Sequence, residues 1–319
     1  MRFYSVIIPI FNRPQEIDEL LESLTHQTFT NFEVLVIEDG STEKCEDIVK
    51  KYVDKLNVQY FFKENSGQGF SRNFGFEKAK GDYFIVFDSD CLIPEQYFQA
   101  IEDFLEATPV DAFGGPDKAH ESFTPMQKAI SYSMTSPFTT GGIRGNKKHY
   151  GTFHPRSFNM GISKAVYEKV GGYKITRMGE DLEFSMRIIN AGFKTALIPD
   201  AFVYHKRRTS LSQFYNQLHF FGRARINVGR FYSEEVKPFH WFPALFTLGF
   251  VSLPFWSAID LRLSITAYSV YALFFLLNFL SSLIKNKSLH VAILSIATSF
   301  VQLFAYGIGF LTEWSREKF

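Results

Sequence analysis

Cysteine, net charge and phosphate-binding glycine loops are all scarce in this 319-residue chain. The two cysteines, Cys45 and Cys91, lack the paired spacing of a metal finger and read as free thiols in a reducing compartment. Lys+Arg number 34 against 33 Asp+Glu, so no basic field is available for nucleic acid, and none is expected as a partner. The N-terminal MRFYSVIIPIF holds an apolar run too short for a signal-peptide core and has no small-residue cleavage site, so it reads as a strand, not an export signal. There is no GxxxxGK[ST] loop, and GQGFSRNFG (67–75) puts Phe and Arg where a dinucleotide fingerprint needs its glycine spacing. These absences exclude a nucleotide phosphate cradled by a glycine-rich loop.

Long apolar runs, by contrast, are plentiful near the C-terminus. Residues 241–259, 263–284 and 289–311 contain no Asp, Glu, Lys or Arg. Each is roughly 20 residues, which at about 1.5 Å per residue covers a hydrocarbon core of about 30 Å. Buried core helices of this kind would need a much larger domain around them, so the second and third runs read as membrane spans. The first holds Pro243 and Pro254 and reads as a span or as an interfacial helix. Lys285 and Lys287 follow the second run, whereas Asp260 and Arg262 precede it. With three spans, the positive-inside rule puts the lysine loop and residues 1–240 in the cytosol of a multi-pass cell-membrane protein. The expected division is a soluble domain over 1–230 and a membrane region over 231–319.

In the soluble part, strand and helix patterns alternate. YSVIIPI (4–10), FEVLVIE (32–38), VQYFF (58–62) and YFIVFD (83–88) are apolar, β-branched or aromatic runs of strand length. Helical patterns follow them, opened by Pro14, by the DGST turn (39–42), by residue 69 and by Pro94. This alternation predicts right-handed βαβ units and a mostly parallel sheet, an α/β fold whose ligands collect at the carboxyl ends of the strands. Those ends carry Pro9 and Asn12, then Glu38-Asp39-Gly40-Ser41, then Asn65 with the loop to Arg72, then Asp88-Ser89-Asp90. Acids at a single strand end are ordinary turn formers, but carboxylates at two ends with an arginine between them suit a charged ligand.

With the glycine loop excluded, a divalent cation on carboxylates is the other way to hold a diphosphate. Asp88 and Asp90 point the same way from an extended segment, and Mg²⁺ or Mn²⁺ needs few protein oxygens when phosphates supply the rest. The same pair can equally be a polar stop after a buried strand. Glu180 and Asp181 open a helix that ends at Gly192; they suit either a general base or the helix dipole. His205 is a candidate ligand or a structural histidine, and Lys206-Arg207-Arg208 either meets phosphates or is a solvated run.

Several motifs together resemble family 2 inverting glycosyltransferases of the GT-A fold: VIIPIFNR (6–13), VIEDGST (36–42), GFSRNFG (69–75), FDSD (87–90), FNMGISKAVYEKVGGY (158–173) and GEDLEFSMRIINAGF (179–193). The stretch from GGPD (114–117) through SPFTTGG (136–142) further resembles transferases of bacterial exopolysaccharide assembly. The resemblance implies that Asp39 binds the nucleotide base, with Pro9 and Asn12 lining that pocket, Arg72 close by, and Asp88 contacting the donor. It implies that Asp90, helped by Asp88 and by a late His205, holds the metal on the diphosphate. It also implies that Asp181 of the "ED" pair is the catalytic base, supported by Glu180. Glu38 departs from the first Asp often found in the family. Processive members carry Q-x-x-R-W, whereas Gln217 here is followed by Leu218, His219, Phe220 and Phe221. The implied activity is therefore transfer of one sugar from a UDP- or GDP-linked donor to a lipid-linked or glycan acceptor at the membrane. Polyprenyl phosphate is the alternative acceptor, and processive polymer synthesis the more distant one.

Overall fold

A computed structural model of the chain describes residues 1–141 and 153–316. Gly142, which closes SPFTTGG, lies outside the described residues. The order is β1 (Tyr4–Ile10), α1 (Pro14–Thr25), β2 (Phe32–Asp39), α2 (Glu46–Lys50), β3 (Val58–Lys63), α3 (Gln68–Lys78), β4 (Tyr83–Phe87), β5 (Cys91–Leu92) and α4 (Tyr97–Ala107). There follow β6 (Ala112–Gly114), β7 (Asp117–Lys118), α5 (Pro125–Thr135), α6 (Pro137–Thr140), β8 (Asn159–Ser163), α7 (Lys164–Val170), α8 (Glu180–Asn190), β9 (Thr195–Leu197) and β10 (Val203–His205). The chain closes with α9 (Leu211–Phe231), α10 (Phe242–Ile259), α11 (Leu261–Asn286) and α12 (Leu289–Trp314).

Two compact units form among the described residues, one from 1–120 and 153–206, the other from 121–141 and 207–316. The boundary expected from sequence falls at residue 230; in the structure α5 and α9 group with the apolar helices. The reason is their faces. Ile130 and Met134 of α5 and Phe214 and Leu218 of α9 form one buried cluster with Ala305 of α12.

In the first unit a seven-stranded sheet runs β3-β2-β1-β4-β8-β6-β9. The four sequence-predicted strands are parallel neighbours, and β8 alone runs antiparallel to both β4 and β6. Alternation splits the buried strand residues between two layers. Val6, Ile8, Val34, Val36, Ile85 and Phe87 face Ile17, Leu20 and Leu24 of α1 and Ile101 and Leu105 of α4. Ile7, Leu35, Ile37, Phe84 and Val86 face Phe76 of α3, Val166 of α7 and Phe184 and Ile188 of α8. Each such residue, fully buried, contributes about 1.5–3 kcal/mol against leaving it exposed. A separate sheet, β5-β10-β7, is built from strands too short to show as a period in sequence. The helix that follows the DGST turn, α2, is short: it stops at Lys50 and gives way to turns.

Helix α3 sits unusually close to the sheet. A Cβ on Gly75 would lie 2.4 Å from Ile7 Cγ2, so only glycine allows the approach. Gly75→Ala is therefore expected to lower stability by about 1–2 kcal/mol, overpacking outweighing the gain in helix propensity. Chemical denaturation of the detergent-solubilised chain measures it, and an unchanged or raised midpoint contradicts the packing argument.

Candidate active site

The four parallel strands bring their carboxyl ends to one edge. Pro9 is buried in β1 opposite Ile37. Pairing of β1 with β4 ends at Ile7–Val86, so proline's missing N–H leaves no gap in that ladder. Asn12 adopts the left-handed backbone, φ 52°, and its side-chain carbonyl accepts from the backbone of Thr42 (2.8 Å) and Glu43 (3.1 Å). Its own N–H donates to Ser41 Oγ at 2.8 Å. Asn12 thus ties the loop after β1 to the loop after β2.

Asp39, 4% exposed, accepts three hydrogen bonds. Oδ1 accepts from Lys63 Nζ (2.6 Å) and the Ser66 amide (2.9 Å), and Oδ2 accepts from the Gly67 amide (2.8 Å). Burial works against its charge, but Lys63, the Ser66 amide and Ser71 more than offset this and hold the carboxyl below its ordinary value. Glu38, by contrast, turns away, accepting from the Cys45 amide (2.9 Å) and Tyr60 Oη (2.5 Å).

Arg72, 1% exposed, joins two parts of the site. Its Nη2 donates to Asp88 Oδ1 at 2.7 Å, and its Nη1 to Glu180 Oε1 at 3.5 Å. Its guanidinium lies 5.4 Å from the Tyr173 ring centre. Burial disfavours the cation, but Tyr173, Asp88, Glu180 and Asp181 outweigh it and hold the group above its ordinary pKa. The N-terminus of α3 is pinned to the segment before α8, for a Cβ on Gly69 would stand 2.6 Å from the Ile175 carbonyl oxygen. Gln68 from the same turn also donates to Glu180.

At the start of α8 the two acids differ. Glu180 is 6% exposed, and burial followed by the Asp181 charge pushes its pKa up against the pull of Arg72. The Asp181 side chain is more open, with Arg156 Nη1 3.3 Å from Oδ2. Met178 (φ 65°) and Gly179 (φ 97°) deliver this helix through left-handed backbone, unusual for methionine and a mark of a constrained approach.

Asp90 has partners different from those of Asp88. Its Oδ2 accepts from Arg13 Nη1 at 3.0 Å and its Oδ1 lies 3.0 Å from His205 Nε2. Pairing of β10 with β5 sets His205 opposite Cys91, and the ring stacks on Phe158 at 5.2 Å. Asp90, Cys91 and His205 offer donor atoms within 4.8 Å of one another, and a carboxylate beside an imidazole is a chemically suitable set for a divalent ion. Of the expected metal set, Asp90 and His205 come together while Asp88 goes to Arg72. Arg13, Gln68, Cys91 and Arg156 complete the site and were not singled out from sequence; no spacing signal marks them. Of the basic run, Lys206 pairs with Glu19 and Arg207 is 6% exposed, so the run is not simply solvated.

With this geometry in place, the comparisons are specific. Residues 5–171, just over half of the chain, match Glycosyl transferase family 2, and the chain belongs to that family. A Methanococcus voltae dolichyl N-acetyl-alpha-D-glucosaminyl phosphate 3-beta-D-2,3-diacetamido-2,3-dideoxy-beta-D-glucuronosyltransferase is 28% identical, covering 75% of this chain and 78% of that protein. An uncharacterized glycosyltransferase of Haemophilus influenzae is 30% identical over 65% of this chain and 70% of its own length. A Rickettsia bellii relative, 40% identical over 102 residues, is much longer, and the chain spans only 15% of it. Among solved structures, a Pyrobaculum calidifontis mannosyltransferase in complex with GDP-Man and Mn²⁺ superposes with a TM-score of 0.65 at 16% identity, covering 99% of this chain and 88% of that one. The GT-A fold expected from sequence is thus the fold observed.

Asp39→Asn is expected to destabilise the chain by about 2 kcal/mol at neutral pH, because an amide cannot accept all three donors from a charge. The native carboxyl is depressed on folding, so its contribution is present above the ordinary value of 3.8 and is lost as pH falls through the lower folded value. Thermal unfolding against pH should show the gap between the two proteins closing below 3.8; a gap constant with pH contradicts the ionic contribution.

Proposed function

We propose that this chain is an inverting glycosyltransferase that moves one sugar from a nucleoside-diphosphate donor to a lipid-linked glycan acceptor. Its apolar helices hold it at the membrane, with the catalytic unit in the cytosol. The observation that carries the reading is the convergence of strand-end and helix-start carboxylates, Asp88 and Glu180, on the single buried Arg72. Beside it stand the Asp90–His205 pair and the more open Asp181 as candidates for the metal and the base.

Asp181 takes the proton of the acceptor hydroxyl as that oxygen bonds to the anomeric carbon. The bond from that carbon to the diphosphate oxygen breaks on the opposite face, its electron pair leaves with the nucleoside diphosphate, and configuration inverts. Exposure decides between the two acids. A base must reach the acceptor, and Glu180, enclosed by Arg72 and Gln68, holds Arg72 and the start of α8 in place instead. Arg156 orients Asp181. Asp39, with Asn12 and Pro9 beside it, offers the base-binding pocket. Asp90 and His205 would hold a divalent ion, and the imidazole favours Mn²⁺ over Mg²⁺. When bound, that ion neutralises charge on the leaving diphosphate.

Two comparisons support the finer points. The Methanococcus voltae relative is named for transfer onto a dolichyl-linked sugar phosphate, which fits a lipid-carried acceptor in preference to bare polyprenyl phosphate. The neighbours hold GDP-Man and, in Staphylococcus aureus TarS (TM-score 0.51, 20% identity, 95% of this chain and 90% of that one), UDP-GlcNAc, so a GDP- or UDP-linked donor is the corresponding expectation.

Release of nucleoside diphosphate from a donor panel, with membrane-extracted protein and Mn²⁺, tests this. Asp181→Asn should lower turnover about 10²–10⁴-fold while donor binding survives. An active Asp181→Asn enzyme sinks the base assignment. Asp90→Ala should instead weaken metal-dependent donor binding about tenfold or more, and unchanged metal dependence places the ion elsewhere.

A further inference from the structure

Helices α10, α11 and α12 are all long and apolar enough to cross a membrane, but their contacts follow an order that three alternating spans do not produce. The start of α10 lies against the end of α12. Trp241, just before α10, packs on Phe310 (4.9 Å) and Trp314 (5.6 Å), and Phe250 packs further back on Phe300 (4.9 Å). The start of α12 instead meets the end of α11, where Ser282 and Ser295 hydroxyls are 2.7 Å apart and Ser299 Oγ donates to Asn278 Oδ1 at 3.1 Å. Helices α10 and α11 form an antiparallel pair, joined at Ser257–Ser264 (2.9 Å) and by Tyr271 Oη donating to the Phe246 carbonyl (2.8 Å). The antiparallel pair puts the start of α10 and the end of α11 on one side. Both ends of α12 are attached to that side.

The coverage of α12 agrees. Half of its apolar window is buried within the protein, against 22% for α10 and 11% for α11. Helix α9 runs alongside it in the same direction, Phe214 and Leu218 meeting Ala305 while Arg230 further on reaches Glu313, and the two helices approach closely: a Cβ on Gly222 would stand 2.1 Å from the Tyr306 carbonyl oxygen, and one on Gly309 2.1 Å from that of His219. At the end of α12 the buried Glu313 accepts from Arg223 (2.9 Å) and Arg230 (3.0 Å) of α9, with Arg316 at 3.4 Å. Near its start, Ser133 of α5 meets Thr298 at 2.6 Å. Three guanidinium groups on one carboxylate belong at headgroup depth, where surplus positive charge faces lipid phosphates, not in hydrocarbon.

We propose that α12 lies in the membrane interface with α9 and α5 over its polar side, that only the α10–α11 pair crosses the bilayer, and that the chain therefore returns at residue 314 to the side on which α10 begins. This goes beyond the proposed reaction and does not depend on it.

Single cysteines at exposed positions test it in sealed vesicles of either orientation, using the full chain and a membrane-impermeant maleimide. The parent, whose Cys45 and Cys91 are buried, sets the background. His290→Cys and Ser315→Cys, at the two ends of α12, should label from one face, and Arg262→Cys, between α10 and α11, from the other. Protease removal of an epitope tag appended to the C-terminus should show the face of Ser315 independently. Labelling of Ser315→Cys from the face of Arg262→Cys means three spans and overturns the proposal. Labelling of all three from one face means that no pair is inserted, and overturns it as well.

Discussion

The geometry of the site depends on one buried cation. Arg72 is almost wholly buried, and its charge persists because Tyr173, Asp88, Glu180 and Asp181 together outweigh that burial. Either acid removed would leave the guanidinium with one carboxylate partner in place of two. The pair of contacts ties the end of β4 to the start of α8, more than ninety residues later in the chain. Arg72 itself is held by α3, which is pressed onto β1 at Gly75 and onto the loop before α8 at Gly69. Sheet, helix and loop thus converge before any ligand is considered. The raised pKa of Glu180 follows from the same enclosure, since burial outweighs its arginine.

Strand-level features were legible because a strand buried on both faces must be largely apolar along its length, and the cores of YSVIIPI and FEVLVIE leave little alternative. The acids at the strand ends were legible for the complementary reason, that polar residues gather where burial stops. What could not be read was the division of labour among them. Asp88 and Asp90 look equivalent in VFDSD, yet Asp88 goes to Arg72 and Asp90 to Arg13 and His205. The deciding element is a pairing of two very short strands, which sets His205 opposite Cys91 across more than a hundred residues of sequence. Nothing periodic announces a strand of two or three residues.

The separation of Glu180 from Asp181 was equally hidden. Adjacent positions on a helix point about 100° apart, so one can face inward while its neighbour stays open. Which one does so depends on where α3 lies, and that is a matter of glycine contacts and not of local pattern. Burial separates the two acids: the enclosed one holds Arg72, the open one keeps part of its carboxylate at the surface.

The helical unit shows the same limit from the other direction. Composition marks three runs as comparable in length and hydropathy. It does not say what covers them. Helix α12 carries Ser295, Thr298, Ser299 and Gln302 among its buried residues, a polar stripe that hydrocarbon would leave without partners and that Ser133 and Asn278 partly satisfy. Helices α10 and α11 expose large apolar side chains such as Phe255, Leu263 and Val270. The same logic moves α9 out of the soluble part: its apolar face is buried by α12, and Arg223 and Arg230 share Glu313 of that helix. An apolar run sets which solvent a helix tolerates, while the small and polar residues within it set which neighbour it has.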